Sequence, residues 1–204
     1  MKVIGVTGGV GSGKSAVLAL LKEICSCEIL MADDIANFLK QPGQPCFEPV
    51  VTLLGERILN ENGVIDNRKM AAEIFQNPDL LNKVNAVIHP AVREYIIKKI
   101  RAEREKGAVD FLFLEAALLI ECGYQSLVDE MWYVYADEQT RIRRLSDSRG
   151  YSEEKARGII ASQLTEEEYR AHCDWVLDNS KSMGQTKTQL MKRLNAMARG
   201  TYEI

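Results

Sequence analysis

The run Val3-Ile4-Gly5-Val6-Thr7 passes straight into Gly8-Gly9-Val10-Gly11-Ser12-Gly13-Lys14-Ser15-Ala16. An apolar strand that opens into four glycines, two serines and a lysine constrains the fold more than any other part of the chain. Glycine lets backbone N–H groups point inward with no Cβ in the way. The helix expected from Lys14 through Leu21 aims its N-terminal dipole at the same point. The spacing from Gly8 to Gly13-Lys14-Ser15 is that of a phosphate-binding loop between strand and helix. In such a loop the lysine, Lys14, reaches the β and γ phosphates, and the serine, Ser15, holds Mg²⁺. A glycine-rich turn with a chance lysine is the rival, but it does not account for strand, loop and helix falling in register. The loop is expected to hold a nucleoside triphosphate.

Four more apolar runs, Glu28–Ala32, Asp110–Glu115, Met131–Tyr135 and Trp175–Asp178, read with Val3–Thr7 as buried parallel strands. Helical patterns lie between them, which predicts an α/β sheet covered on both faces. The interval from Asp33 to Gly107 is too long for a simple crossover. It reads as an inserted helical subdomain, broken at Pro42-Gly43, Gly55, Gly63, Asn77-Pro78 and His89-Pro90. A basic helix, Thr140–Ser148, ends at Gly150, and Ser152 can cap the next one. Thr165-Glu166-Glu167-Glu168 is a capping box. A last helix runs from about Thr186 to Arg199 and stops at Gly200. The expected division is a core of residues 1–33, 100–139 and 166–204, a helical insertion at 34–99 and a lid at 140–165.

Composition removes several classes. With 204 residues and a net charge of -3, the chain does not carry the large basic surface of a nucleic-acid binder. No run has the length of a membrane span, and the N-terminal apolar stretch is too short and glycine-rich for a secretory signal. Five scattered cysteines argue for buried thiols in a reducing cytoplasm rather than a disulfide framework. Cys25 and Cys27 lack a second pair at zinc-ligand spacing.

A phosphate loop alone does not choose between a GTPase switch, a motor and a small-molecule kinase. The fourth strand ends Tyr135-Ala136-Asp137, with no guanine signature. Two insertions flank the site, as a kinase needs: one holds the acceptor and one closes over the nucleotide to exclude water. Asp33, at the end of the second strand, is placed to orient or deprotonate an acceptor hydroxyl or to touch Mg²⁺ through water; capping of a helix by Asp33 or Asp34 is the competing reading. Glu115 ends the third strand like a Walker B acid, with a helix cap again the rival. One of Arg144 and Arg149 is expected on the transferring phosphoryl group, while Arg141 and Arg143 read as a solvated basic face. His89 reads as structural.

Taken together, the motifs resemble the dephospho-CoA kinase family over nearly the whole chain. TGGVGSGKS (Thr7–Ser15) is similar to its P-loop, and ADDIA (Ala32–Ala36) to its ADxIA. Pro42-Gly43, Leu53–Gly55, NGVIDNR (Asn62–Arg68), Ile88–Pro90, ALLIE (Ala117–Glu121), Gln163 and DWVLDN (Asp174–Asn179) follow in the family's order. Met31, Ala117, Ile120, Ser148 and Ser180 depart from its pattern; Arg149 stands one place after its second lid arginine. The resemblance implies an adenylate-kinase-like P-loop NTPase: a three-layer α/β sandwich with a five-stranded parallel sheet, a helical CoA-binding insertion and a lid. It implies transfer of the ATP γ-phosphoryl group to the ribose 3′-hydroxyl of dephospho-CoA, with Mg²⁺. On that resemblance Asp33 is the base, Lys14 and the loop from Gly8 to Ala16 bind ATP, and Thr7 lies beside the phosphates. Arg144 matches the lid arginine, Arg68 and His89 match positions near the acceptor, and Asn179 falls in the loop expected near the adenine. A monomer or weak homo-oligomer is expected. Another P-loop small-molecule or nucleotide kinase, or a non-enzymatic ATP-binding switch, remains as the alternative.

Overall fold

The computed structural model describes residues 1–75, 77–116 and 118–199; Ala117 and Gly200 lie outside the described residues. Five strands form one sheet: β1 (Lys2–Thr7), β2 (Cys27–Met31), β3 (Phe111–Glu115), β4 (Glu130–Tyr135) and β5 (Trp175–Asp178), in the order β2-β3-β1-β4-β5. β1 lies in the centre, parallel to β3 on one side and to β4 on the other, with Val6 opposite Glu115 and Trp132. Such strands are largely apolar because helices cover both faces. Val3, Ile4 and Val6 are fully buried. Gly5 is small for a packing reason: a Cβ there would lie 2.7 Å from Met131 Sδ.

The chain separates into two compact units, residues 1–29 with 107–204, and residues 30–106. In the first, α1 (Lys14–Ile24) and α9 (Met183–Arg199) share an apolar core with the sheet, built on Val17, Leu21, Phe113, Trp132, Leu177 and Leu190. Trp132 stands between Phe113 and Trp175, with ring centroids 5.5 and 4.6 Å away. Its indole N–H donates to Glu130 Oε1 at 2.6 Å, and Arg193 Nε donates to the same oxygen at 3.0 Å. The acid at the buried foot of β4 is thereby paired as well as hydrogen-bonded, which a buried charge requires. At the rim of the sheet, the Gln189 side chain accepts from the Asp178 amide at 3.2 Å and donates to the Asp178 carbonyl at 2.9 Å. A side chain there takes the place a further strand would fill.

The same unit carries α6 (Glu138–Arg149), α7 (Glu153–Ala161) and α8 (Glu166–His172). Asp137 caps α6 by accepting from the Thr140 amide at 2.8 Å. Gly150, at φ 64°, ends it, and Ser152 caps α7 as expected. The expected capping box at Thr165 and Glu168 is complete.

The second unit is helical: α2 (Ala32–Leu39), α3 (Phe47–Leu54), α4 (Asn67–Phe75) and α5 (Pro78–Lys106). Two expectations are corrected here. β2 ends at Met31, so Asp33 stands in the first turn of α2 rather than at a strand end. The N-cap is Met31, without a side-chain cap bond, so neither aspartate caps the helix. Ala32 is a strong helix former and two acids in the first turn suit the helix dipole, which explains the direct strand-to-helix passage. Second, His89-Pro90 does not break the chain, for α5 runs through Pro90 for 29 residues. Val84, Ile88, Val92, Ile96 and Ile100 recur every fourth residue and are all buried. That continuous apolar stripe, packed on α2, α3 and α4, outweighs the roughly 3 kcal/mol cost of an interior proline. Among the described residues no helix is long and apolar enough to cross a membrane.

Candidate active site

The Gly8–Ser15 loop begins where β1 ends and closes onto α1. Gly13, at φ 91° and ψ 26°, is the N-cap of α1, and no side chain caps the helix. A helix start leaves its first amides short of intrahelical acceptors; the Ala16 amide bonds back to the Gly13 carbonyl at 3.1 Å, and the helix dipole favours an anion ahead of it. Lys14 Nζ donates to the Gly8 carbonyl at 2.7 Å and lies 3.7 Å from Glu115 Oε1. Lysine and acid are both largely buried. Glu115 thus joins the loop lysine. Ser15 and Ala16 are exposed on the first turn of α1. Beneath the loop, Thr7 Oγ1 and Ser12 Oγ are buried with no hydrogen-bond partner among the described residues.

The glycines of the loop are needed for protein contacts as well as for a ligand's approach. A Cβ on Gly13 would fall on Asn179 Nδ2, and one on Gly9 would fall on the Arg141 guanidinium. Asn179 is 1% exposed. Its amide group donates to the Ser12 carbonyl at 2.8 Å and accepts from Thr186 Oγ1 at 2.8 Å. The structure therefore sets this side chain under the loop, holding it from below.

Arg144 meets the loop from α6. Its guanidinium donates to the Ser12 carbonyl at 3.0 Å and to the Asn179 carbonyl at 2.8 Å. Arg149 stands exposed at the end of the helix, 6.0 Å from the Tyr151 ring centroid. Arg143 is exposed as expected, but Arg141 is not part of a solvated face. It is buried, with Nε donating to the Val10 carbonyl at 2.9 Å and Nη2 to Gln163 Oε1 at 2.7 Å. Burial works against its charged form, with the Tyr133 side chain as the next influence in the opposite sense. The signal was in the spacing: Arg141, Arg144 and Leu145 recur at helical intervals on the face that Leu145 buries.

In the helical unit, Asp33 is exposed and Lys40, the C-cap of the same helix, is 7% exposed. Lys40 Nζ donates to Asn67 Oδ1 at 2.6 Å, and Asn67 Nδ2 donates to Asn37 Oδ1 at 3.0 Å. Burial pushes the Lys40 ammonium down from its ordinary 10.5, and the charge of Asp33 pulls it back up. Sequence reasoning passed over this lysine. Arg68 is exposed in the first turn of α4, its amide bonded to Asp66 Oδ1 at 2.8 Å. His89 is exposed in mid-helix on α5.

The family model for dephospho-CoA kinase matches residues 2–185. A dephospho-CoA kinase of Carboxydothermus hydrogenoformans is 38% identical over 191 residues, which is 94% of this chain and 92% of that protein. The crystal structure of TT1252 from Thermus thermophilus superposes with a TM-score of 0.81 at 30% identity, covering 96% of this chain and 97% of that one. Dephospho-CoA kinase from Campylobacter jejuni shares the fold, with a TM-score of 0.74 at 20% identity over 98% of each chain.

Proposed function

The chain belongs to the dephospho-CoA kinase family, and from that premise we propose how its residues move the γ-phosphoryl group of ATP to the ribose 3′-hydroxyl of dephospho-CoA, giving CoA and ADP. Loop amides between Gly8 and Ser15, other than those of Val10 and Ser12, which bond to Gln163 and to the Gly9 carbonyl, cradle the triphosphate together with the uncapped start of α1. Lys14, held on the Gly8 carbonyl and beside Glu115, swings onto the β and γ phosphates. The partnerless hydroxyls of Thr7 and Ser12, each costing about 1–3 kcal/mol as orphans, support a polar occupant of the loop. Arg144 exchanges its carbonyl partners for phosphate oxygens as charge develops. Asp33 takes the proton of the acceptor hydroxyl, with Arg68 and His89 on the acceptor. The lid is residues 140–165, the acceptor-binding insertion residues 34–99, and the core the remainder.

Among the described residues no cluster of three His, Cys, Asp or Glu side chains could hold a metal ion. An ion held mainly by nucleotide oxygens needs few protein ligands, and the exposed Ser15 hydroxyl is a hard oxygen donor that suits Mg²⁺. When bound there, Mg²⁺ neutralises charge on the β and γ phosphates. Five free cysteines support a reducing cytoplasm as the working compartment.

The observation that carries the reading is the lysine-tipped loop on an uncapped helix, flanked by a lid arginine. Incubation with Mg-ATP and dephospho-CoA tests it by mass: the product is expected one phosphoryl group heavier, at the ribose 3′ position. An unchanged acceptor, with ATP bound, would reject it.

A further inference from the structure

Val10, at the tip of the loop, is held on three sides by the lid. Its N–H donates to Gln163 Oε1 at 2.9 Å, and its C=O accepts from Arg141 Nε at 2.9 Å. Its side chain packs on the small apolar cluster of Ile142, Leu145 and Ala156. The ring closes because Arg141 Nη2 donates at 2.7 Å to the same Gln163 oxygen that the Val10 amide uses. Gly9 leaves room for the guanidinium, since a Cβ there would occupy its place. Arg141 sits on α6, and Gln163 lies between α7 and α8. Two separate parts of the chain, α6 and the turn between α7 and α8, therefore meet on the backbone of Val10.

We propose that Arg141 and Gln163 are positioning residues, a latch that fixes the Val10 peptide and so presets the orientation of the nucleotide-binding loop. Neither is assigned to the phosphates. Arg141 Nε and Nη2 are engaged with Val10 and Gln163, whereas Arg144 bonds to the Ser12 and Asn179 carbonyls. A lid that moves as a body cannot leave without releasing both the N–H and the C=O of Val10. Lid position and nucleotide affinity are then linked, and by reciprocity a bound nucleotide tightens the latch. This rests on the reading of the loop as the ATP site.

The test is titration of Mg-AMPPNP, without acceptor, into wild type, R141M, R141K, Q163L and the double variant R141M/Q163L, with melting temperatures recorded alongside. Each single variant is expected to weaken binding by about tenfold, the effect of losing a hydrogen bond to a charged group. R141K is expected to fall with R141M, because a lysine keeps the charge but cannot supply the fork. The double variant is expected within about twofold of the worse single one, since either change opens the same ring. In turnover, KM for ATP rises while KM for dephospho-CoA stays within about twofold. Wild-type affinity in Q163L or in R141K, or additive losses in the double variant, would overturn the latch. Gln163 is only half-buried, so Q163L remains a fair test if R141M does not fold. A wild-type protein that binds Mg-AMPPNP but leaves dephospho-CoA unchanged would sink the proposed reaction and leave the latch standing.

Discussion

Asp33 is exposed in the first turn of α2, and its charge acts on the buried Lys40 of the same unit. If it is the base, D33N should lower kcat by about 10²-fold or more while Mg-ATP affinity, read by titration, stays at the wild-type value. Equal turnover in D33N and wild type would remove Asp33 from the mechanism. Gly13 makes a different demand. It is held at φ 91°, and a Cβ on it would strike Asn179, so G13A should destabilise the protein by about 1–3 kcal/mol in denaturant unfolding as well as weaken nucleotide binding. The composition of the loop showed in the sequence that Lys14 and its glycines form a phosphate cradle. It did not show that Gly9 and Gly13 also admit Arg141 and Asn179, because partners more than a hundred residues away leave no mark on a local pattern. Asn179 illustrates the limit best: the resemblance puts it in the loop expected near the adenine, and the structure adds that its amide bonds to Ser12 and Thr186.

At the level of elements, capping and breaking chemistry was read well where it is local. Gly150, Ser152 and the Thr165 capping box each do what their residue type dictates. Proline was misread because the partners of α5 lie elsewhere in the chain, and its apolar stripe continues on both sides of Pro90. P90A restores an amide to the helix interior, and it should raise the unfolding free energy by about 1–3 kcal/mol in a chemical melt. A lower stability would mean that the proline shapes a bend the unit needs. The cap of α6 has a pH signature. The Thr140 amide, followed by its hydroxyl, holds the Asp137 carboxyl below its ordinary 3.8. The folded protein therefore binds that proton less readily than the unfolded chain. The stabilisation is complete above about pH 3.8 and is lost as pH falls through the lower folded value. Asn caps without titrating, so the melting-temperature difference between wild type and D137N should shift in favour of D137N as pH drops below 4. A difference that stays constant across that range would exclude the carboxylate as its source.

For the molecule as a whole, the five-stranded parallel sheet was legible because the strands are largely apolar within and helical patterns lie between most of them. The long interval between β2 and β3 reads as an insertion from its length alone, and residues 30–106 do form a compact unit. All five cysteines are free, but the expectation of buried thiols holds for Cys46 alone, for Cys25, Cys27, Cys122 and Cys173 are only partly buried; desolvation still pushes the Cys25 and Cys173 thiols up to about 12. Thiols so far from ionisation react slowly at neutral pH, so a reducing agent should leave the melting temperature unchanged and iodoacetamide should label both sites slowly. Rapid labelling of the native protein would contradict that burial. The rim of the sheet carries one further lesson. Gln189 meets the exposed end of β5 with its own amide, bonding both backbone groups of Asp178. Crowded among thousands of its copies, the polypeptide finds that stretch of rim already engaged, and the growth of one sheet into another has no purchase there.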